Sequence, residues 1–165
     1  MADHELQDQL MSYLRDVHST EQNALTQLRT GADQAGDPAL RQVFEQHLAE
    51  TEQHARLVAE CLDRHGESTS ALKDIAQKGG AMLSGMAAKA APDTTGKLAI
   101  QAYAFEHLEI ASYRMLAVVA QRAGDEQTVQ VARQILEQEE AAAQKLGSLL
   151  EQVAEYDLRA MGAAA

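Results

Sequence analysis

The chain is poor in the residues on which many small folds and sites depend. It has one cysteine, two prolines, two phenylalanines and no tryptophan among 165 residues. The lone Cys61 excludes an internal disulfide and a paired-cysteine zinc site, and it fits a reducing compartment. Strand patterns are missing as well. These absences favour an all-α protein whose core is built from Leu, Ala and Val.

Basic residues are also scarce. The chain has 14 Lys and Arg residues against 25 Asp and Glu residues, which gives a formal net charge of −11. This balance argues against nucleic acid or an anionic membrane surface as a partner, and favours a protein that attracts cations. No apolar run is long enough to span a bilayer and residues 1–15 do not resemble a signal peptide, so we expect a cytoplasmic protein. Phosphate-binding glycine loops and a nucleophile beside a base are missing, so no catalytic residue is assigned.

What the chain does contain is four long helical segments separated by glycine and proline. Gly31 and Pro38 separate the first two segments, Gly66 ends the second, Pro92 precedes the third, and Gly124 divides the third from the fourth. Both prolines stand where a helix should begin. We therefore predict helices at 5–31, 38–65, 96–123 and 126–157, within a single domain that covers residues 1–165.

The lengths of the connections predict the topology. Short loops make the first two helices antiparallel, and likewise the last two. The stretch from residue 66 to 95 is long enough to cross the whole bundle, which makes the second and third helices parallel. This crossover has an apolar side that Gly79, Gly80 and Gly85 interrupt, so we expect it to contain short, broken helix.

Each helical segment carries glutamate inside its inward apolar stripe. In chain order the predicted stripes are Leu10, Leu14, Val17, Glu21, Ala24 and Leu28; Val43, His47, Glu50, His54, Leu57 and Cys61; Ala99, Ala102, Glu106, Glu109, Tyr113 and Leu116; and Ala132, Leu136, Glu139, Ala143, Leu146, Leu150 and Val153. The glutamates lie 15 to 18 residues from the same end of the bundle, a spread of less than one helical turn. Carboxylates rarely share a buried level unless a cation lies between them, so the pattern predicts a metal site.

The predicted ligands begin with one carboxylate from each helix. Glu50 and Glu106 are taken as ligands rather than as buried acids satisfied by hydrogen bonds, because no Lys or Arg on the neighbouring stripes would pair with them. Glu21 is the single carboxylate of the first stripe and is also taken as a ligand. On the fourth helix Glu139 competes with Glu140, which is rotated by about 100° and should face solvent. Glu139 is therefore the predicted ligand.

The remaining polar residues of the stripes have alternatives. Glu109 and His54 are each either a ligand or a hydrogen-bond partner of a ligand. His47 is interpreted as a hydrogen-bond partner or polar core filler, and His107, off the stripe, as a packing or interface residue. Tyr113 lies one turn beyond Glu109 and could orient a ligand carboxylate, although a half-buried core tyrosine is the more common outcome.

Four short motifs surround the glutamates of the stripes, namely His18-Ser-Thr-Glu21-Gln22, His47-Leu-Ala-Glu50-Thr51, Phe105-Glu106-His107-Leu108-Glu109-Ile110-Ala111-Ser112-Tyr113 and Glu139-Glu140-Ala-Ala. These motifs resemble the core motifs of the YciF-type stress proteins, a branch of the ferritin-like superfamily. The resemblance covers roughly residues 5–155. It implies a ferritin-like four-helix bundle, a dinuclear metal centre with iron as the expected ion, and a homodimer.

The chain departs from the usual dinuclear pattern of ferritin-like proteins. That pattern takes a Glu-x-x-His pair from each of two helices, whereas here His54 lies four residues after Glu50 and no histidine follows His107. The predicted ligand set of Glu21, Glu50, His54, Glu106, Glu109 and Glu139 is rich in carboxylate. Such oxygen ligands suit Fe(III), Mn(II), Mg(II) or Ca(II) better than copper, and the single imidazole allows adventitious Zn.

Two functions from different classes fit these features. The first is a protein with two metal ions that reacts with O2 or peroxide in a stress response. The second is a non-enzymatic stress or structural protein, in which the acidic layer fixes the helix register and holds at most a redox-inert ion. For either, the off-stripe apolar residues of the third helix predict a dimer interface, namely Leu108, Ile110, Ala111, Val118 and Val119.

Overall fold

The structure, a computed structural model, describes residues 2–67 and 93–163, and within these ranges it contains helices and no strand. The helices are α1 (Ala2–Gln34), α2 (Pro38–Arg64), α3 (Thr95–Ala123) and α4 (Glu126–Ala160). The predicted all-α class is confirmed, and the predicted bounds agree within three residues. α1 continues to Gln34, beyond the predicted end at Gly31, and the ring of Phe44 lies 3.0 Å from where a Cβ at Gly31 would stand.

Each of the last three helices begins at a side chain that accepts hydrogen bonds from backbone amides of the first turn. The Asp37 carboxylate accepts from Ala39 N and Leu40 N at 2.9 and 3.0 Å, and Pro38 follows it. Thr94 and Asp125 cap α3 and α4 in the same way. Such caps satisfy amides that have no partner inside the helix, which explains why the helices start where the sequence signals stand.

The helices form a four-cornered bundle in which α1 and α4 each pack against both α2 and α3. Side-chain contacts between α2 and α4 pair the C-terminal end of α2 with the N-terminal end of α4, as His65 with Asp125 at 2.8 Å. At the other end Gln152 donates to Asp37. Neighbouring helices are therefore antiparallel and α2 runs parallel to α3, as predicted. The predicted broken helix of the crossover falls on residues 68–92, outside the described part of the chain.

A polar layer separates the two larger of the three apolar clusters among the described residues. One cluster contains Leu14, Val58, Tyr113 and Ile135 among its members, and the other contains Leu28, Phe44, Ala99 and Leu146. Between them lie buried carboxylates and imidazoles from all four helices. The layer is at the level that the sequence predicts for the four glutamates, so the fold brings polar groups from distant parts of the chain together in its centre.

The predicted inward stripes are confirmed for α1 and largely for α3, but the stripe of α2 is wrong in phase. The buried positions of α2 are Leu40, Phe44, His47, Thr51, His54, Ala55, Val58, Cys61 and Leu62. Val43, Glu50 and Leu57 are only half-buried, because α2 is rotated so that its Thr51 side faces the interior. Smaller departures occur elsewhere, since Ala102, Leu136 and Leu150 are half-buried whereas Ile135 is buried.

The predicted apolar surface of α3 is present in part. Val118 is 58% exposed and Ala111 is exposed, but Leu108 and Val119 are half-buried and Ile110 is buried. Exposed Ile100 and Met115 extend the same helix surface. Among the described residues, no helix combines the length and apolar character that crossing a membrane requires.

Candidate metal centre

Six buried ionisable side chains meet in the layer between the two apolar clusters. α1 contributes Glu21, α2 contributes His47 and His54, α3 contributes Glu106 and Glu109, and α4 contributes Glu139. None is more than 2% exposed. Burial of so many ionisable groups in one place is unfavourable unless they compensate one another or a cation compensates them.

Helical periodicity places these side chains on inward faces. His47 and His54 are seven residues apart, and Thr51 between them donates its hydroxyl hydrogen to the His47 carbonyl oxygen at 2.9 Å. Thr51 therefore turns its polar atom back to its own helix. On α3, Glu106 and Glu109 are three residues apart and lie on the same face.

The donor atoms of these six residues form two groups, each with atoms within 4.8 Å of one another. The first group consists of His47, Glu106, Glu109 and Glu139, and the second of Glu21, His54 and Glu139. Glu139 belongs to both groups and lies between them. This sharing is the arrangement that a carboxylate bridging two cations would require.

Each of the two carboxylate oxygens of Glu139 lies close to a different imidazole. Oε1 lies 2.9 Å from Nδ1 of His54, and Oε2 lies 3.2 Å from Nε2 of His47. Glu106 Oε2 is 3.1 Å from the same His47 nitrogen, and Glu21 Oε2 is 3.8 Å from His54 Nδ1. Each oxygen of Glu139 therefore faces a different group.

Most of these inward atoms have no properly aligned hydrogen-bond partner in the described part of the chain. They are Glu21 Oε2, His47 Nε2, His54 Nδ1, Glu106 Oε2 and both carboxyl oxygens of Glu109 and of Glu139. Nitrogens of His47 and His54 lie 2.9 to 3.2 Å from oxygens of Glu106 and Glu139, close enough for charged contacts, whereas Glu109 has no such neighbour among the described residues. Buried polar atoms normally have partners, so a set that converges without them fits metal ions well.

The outer sides of the same residues do have partners. Nδ1 of His47 lies 3.1 Å from Glu50 Oε2, and Nε2 of His54 lies 3.0 Å from Gln138 Oε1. The Tyr113 hydroxyl donates to Glu21 Oε1. Each of these contacts leaves one atom of the inner residue directed into the centre. Orientation by an outer partner is typical of metal ligands in proteins.

Burial raises the pKa values of three of the carboxyl groups. It raises the pKa of Glu21 to about 8, against a partial lowering by His54, and the pKa of Glu106 to about 7, against a partial lowering by His47. Burial and the neighbouring Glu139 raise the pKa of Glu109 well above its ordinary value. Without a cation, these acids therefore tend to keep their protons at neutral pH.

The pKa values of the two imidazoles and of Glu139 shift so as to favour the charged form of each group. Burial works to lower the pKa of His47, but Glu106 and Glu139 outweigh it and raise that pKa to about 11. The pKa of His54 is also raised, since Glu139 and Glu21 outweigh its burial. Burial works to raise the pKa of Glu139, and the two imidazoles lower it to about 2. Without a cation, the directions of these shifts favour protonated imidazoles on either side of an ionised Glu139.

The structure brings together five of the six residues predicted as ligands. Glu21, His54, Glu106, Glu109 and Glu139 converge, and their role as ligands stays a prediction. The sixth, Glu50, belongs to neither group; its side chain is 28% exposed and contacts His47.

The sequence-based interpretation underestimated His47, which belongs to the first group and makes two imidazoles rather than one. The heptad spacing of His47 and His54 was the signal that could have found it. Glu140 is exposed and pairs with Arg114 at 2.6 Å, as expected for the outer face of α4. The exposed His107 packs its ring against Tyr103 at a centroid distance of 4.6 Å.

Solved structures with the same fold are known from several bacteria. A protein from Xanthomonas campestris pv. campestris is 29% identical, with a TM-score of 0.79 over 96% of this chain and 99% of its own. The Escherichia coli stress protein YciF is 22% identical, with a TM-score of 0.71 over 91% of this chain and 97% of its own. A dodecameric thioferritin from Bacteroides fragilis is 22% identical, with a TM-score of 0.71 over 94% of this chain and 95% of its own. The fold is thus a ferritin-like four-helix bundle.

A family comparison covers nearly the whole chain. The family described as Domain of unknown function (DUF892) matches residues 5–159. The resemblance to YciF-type proteins that the sequence motifs indicated is confirmed by this match together with the YciF structure. The chain therefore belongs to the DUF892 family.

Proposed function

We propose that this protein binds two metal ions in the buried centre, one in each group of ligands, with iron as the expected ion. The observation that carries the proposal is the position of Glu139, whose two oxygens face two different sets of unpartnered buried atoms. A structural polar layer would pair its atoms with one another in hydrogen-bond geometry. Here neither oxygen of Glu109 has a hydrogen-bond partner among the described residues, and the other inward atoms converge around Glu139.

The donor set supports a divalent transition metal. The first group offers one imidazole nitrogen and oxygens from Glu106, Glu109 and Glu139, and the second offers one imidazole nitrogen and oxygens from Glu21 and Glu139. Mixed nitrogen and oxygen donors suit Fe(II), Mn(II) and Zn(II), and the second imidazole makes Mg(II) and Ca(II) less suitable than the sequence suggested. Cations would replace the protons on the raised-pKa acids, so binding should release protons.

A bound iron pair would supply electrons for the reduction of O2 or peroxide. The residues of this chain would position the ions and exclude bulk water, since apolar clusters close the centre on both sides along the bundle. The Tyr113 hydroxyl would hold Glu21 so that only Oε2 faces the centre. A role in stress response is supported by the similarity to a protein described as a stress protein. A cytoplasmic location and a homodimer remain part of this proposal.

The alternative function, a helical-bundle protein without turnover, has one observation in its favour. Glu139 lies close to both imidazoles, and the pKa shifts of all three groups favour their charged forms. The layer could thus compensate part of its charge without any metal and fix the register of the four helices. This alternative holds at most a redox-inert ion, so it requires that added Fe(II) is not oxidised at the centre.

Metal content together with the oxidation of added iron decides between the two functions. The protein is purified without chelator, its metals are determined, and Fe(II) is then added under air while the absorbance of oxidised iron is recorded. We expect about two ions per chain in the wild type and far fewer in Glu139→Gln, which removes the shared carboxylate but keeps its volume. Glu140→Gln is the matched control, because this exposed carboxylate one position further pairs with Arg114 on the outer face of α4. Equal metal content in wild type and Glu139→Gln would reject the proposal.

A further inference from the structure

The two imidazoles of the centre are held on their outer sides by residues of different chemistry. His47 has a carboxylate, Glu50, on its outer nitrogen, whereas His54 has an amide, Gln138. Both partners are half-buried, and Glu50 belongs to neither of the two groups of donor atoms. The inference that follows rests on the proposed function, because it concerns how the two groups bind cations.

Glu50 can orient His47 in one way only. An ionised carboxylate accepts hydrogen bonds and donates none, so Nδ1 of His47 must carry the hydrogen in the contact of 3.1 Å. In a neutral imidazole this leaves the lone pair on Nε2, which is the nitrogen that faces Glu106 and Glu139. The contact with Glu50 therefore prepares His47 for binding a cation on its inner side.

Gln138 determines less strictly which nitrogen of His54 carries the hydrogen. When its amide oxygen accepts from Nε2, the lone pair of a neutral ring lies on Nδ1, toward Glu21 and Glu139. The same amide can rotate and donate through its nitrogen, which places the hydrogen on Nδ1 and blocks the inner side. An amide also polarises the ring less than a carboxylate does.

We propose that Glu50 and Gln138 are the positioning residues of the two metal sites, and that this difference makes the centre bind its cations in order. The first group is prepared by Glu50 and has three carboxylates beside its imidazole. The second has two carboxylates, and one oxygen of Glu21 is already engaged by Tyr113. A divalent cation therefore enters the first group at lower concentration than the second.

Co(II) titration of the metal-free protein tests the order. Calorimetry should resolve two binding steps in the wild type. Glu50→Leu, which removes the acceptor, should weaken the tighter step by about 10 to 100-fold and leave the weaker step nearly unchanged. Gln138→Leu should weaken the second step by a similar factor. Gln138→Glu replaces the amide with a carboxylate, so it should strengthen the second step and reduce the difference in affinity between the two steps. Glu50→Gln should reduce the same difference by weakening the first step.

The matched controls change the same chemistry at exposed positions. Gln134→Glu adds a charge one turn before Gln138 on α4, and Glu45→Leu removes an exposed carboxylate from α2. Neither should alter either binding step. If Gln134→Glu strengthened the second step as much as Gln138→Glu, net charge rather than positioning would explain the effect, and the inference would be overturned.

Proton NMR of the Co(II) protein provides a readout that general damage to the fold would not reproduce. Each coordinated imidazole should give one strongly shifted, exchangeable N–H signal from its outer nitrogen. Glu50→Leu should speed the solvent exchange of the His47 signal alone, and Gln138→Leu that of the His54 signal alone. An unchanged His47 signal in a Glu50→Leu variant with weakened binding would show that Glu50 acts as a ligand, which overturns the inference.

The proposed function and this inference fail in different ways. A wild type that binds no divalent cation rejects the proposed function. A wild type that binds two Co(II) ions, with steps that Glu50→Leu and Gln138→Leu leave unchanged, rejects the inference and keeps the function.

Discussion

Replacement of Glu109 by glutamine should have opposite effects on the metal-free and the metal-loaded protein. Glu109 is 1% exposed, and neither of its oxygens has a hydrogen-bond partner among the described residues. Burial and the nearby Glu139 raise its pKa, so the folded state resists an ionisation that the unfolded chain undergoes freely. Glu109→Gln removes this penalty, and at pH 8 the metal-free variant should be more stable than wild type by about 1–3 kcal/mol.

The sign of the pH dependence follows from the direction of the shift. A carboxyl group with a raised pKa stabilises the fold fully below its unfolded pKa, and this contribution is lost as the pH rises toward the folded pKa. The advantage of Glu109→Gln should therefore be small near pH 4 and grow toward pH 8. If Glu109→Gln were stabilised equally at pH 4 and pH 8, ionisation of Glu109 would not be the cause of the stabilisation.

With metal bound, the wild type should become more stable than Glu109→Gln. At a free concentration 100-fold above the dissociation constant, one bound cation stabilises the folded state by about 2.7 kcal/mol. For a chain of this size this corresponds to a rise of roughly 5 to 11 °C in the unfolding midpoint. Glu109→Gln removes a carboxylate from the first group and should show a much smaller rise.

Circular dichroism melting curves at pH 8, with and without metal, measure both effects. Glu137→Gln, an exposed change on α4, is the control and should melt like wild type under both conditions. If Glu109→Gln lowered both midpoints equally, Glu109 would be a packing residue. If Glu109→Gln raised both midpoints equally, the buried Glu109 carboxyl would destabilise the fold even in the presence of metal. Its unpartnered oxygens would then not indicate a metal ligand.

Three further predictions follow from the same structure. The pKa values of about 8 for Glu21 and about 7 for Glu106 exceed the ordinary 4.5, so the metal-free protein should lose stability as the pH rises from 5 to 8. Urea unfolding measures this change, and a higher free energy of unfolding at pH 8 than at pH 5 would contradict the raised pKa values. Glu139→Leu should destabilise the metal-free protein by about 3–5 kcal/mol in the same assay, because it removes the carboxylate that lies closest to His54 and that both imidazoles share; an unchanged or higher stability would show that the buried Glu139 carboxylate destabilises the metal-free fold. Val118, 58% exposed on α3, should lie in a dimer interface, so light scattering should show a dimer that Val118→Glu dissociates; a wild-type monomer at micromolar concentration would reject the interface.

The helices and the level of the polar layer could be predicted because both depend on spacing along the chain. Pro38 and Gly124 mark helix boundaries through local backbone geometry, and these boundaries appear where expected. The depth of Glu21, Glu106 and Glu139 along the bundle follows from counting residues at a constant rise. Neither inference needed knowledge of which helix packs beside which.

Only the tertiary structure decided which side of α2 faces the centre. A stripe through His47 and His54 can be completed through Glu50 or through Thr51, which stand about 100° apart around the helix. The contacts of α2 with α1 and α4 turn the Thr51 side inward, which leaves Glu50 at the edge beside His47. The sequence alone thus determined the kind of fold and the presence of a buried acidic layer. The packing of neighbouring helices assigned the inner and outer roles, because the rotation of a helix about its axis depends on residues far away in the chain.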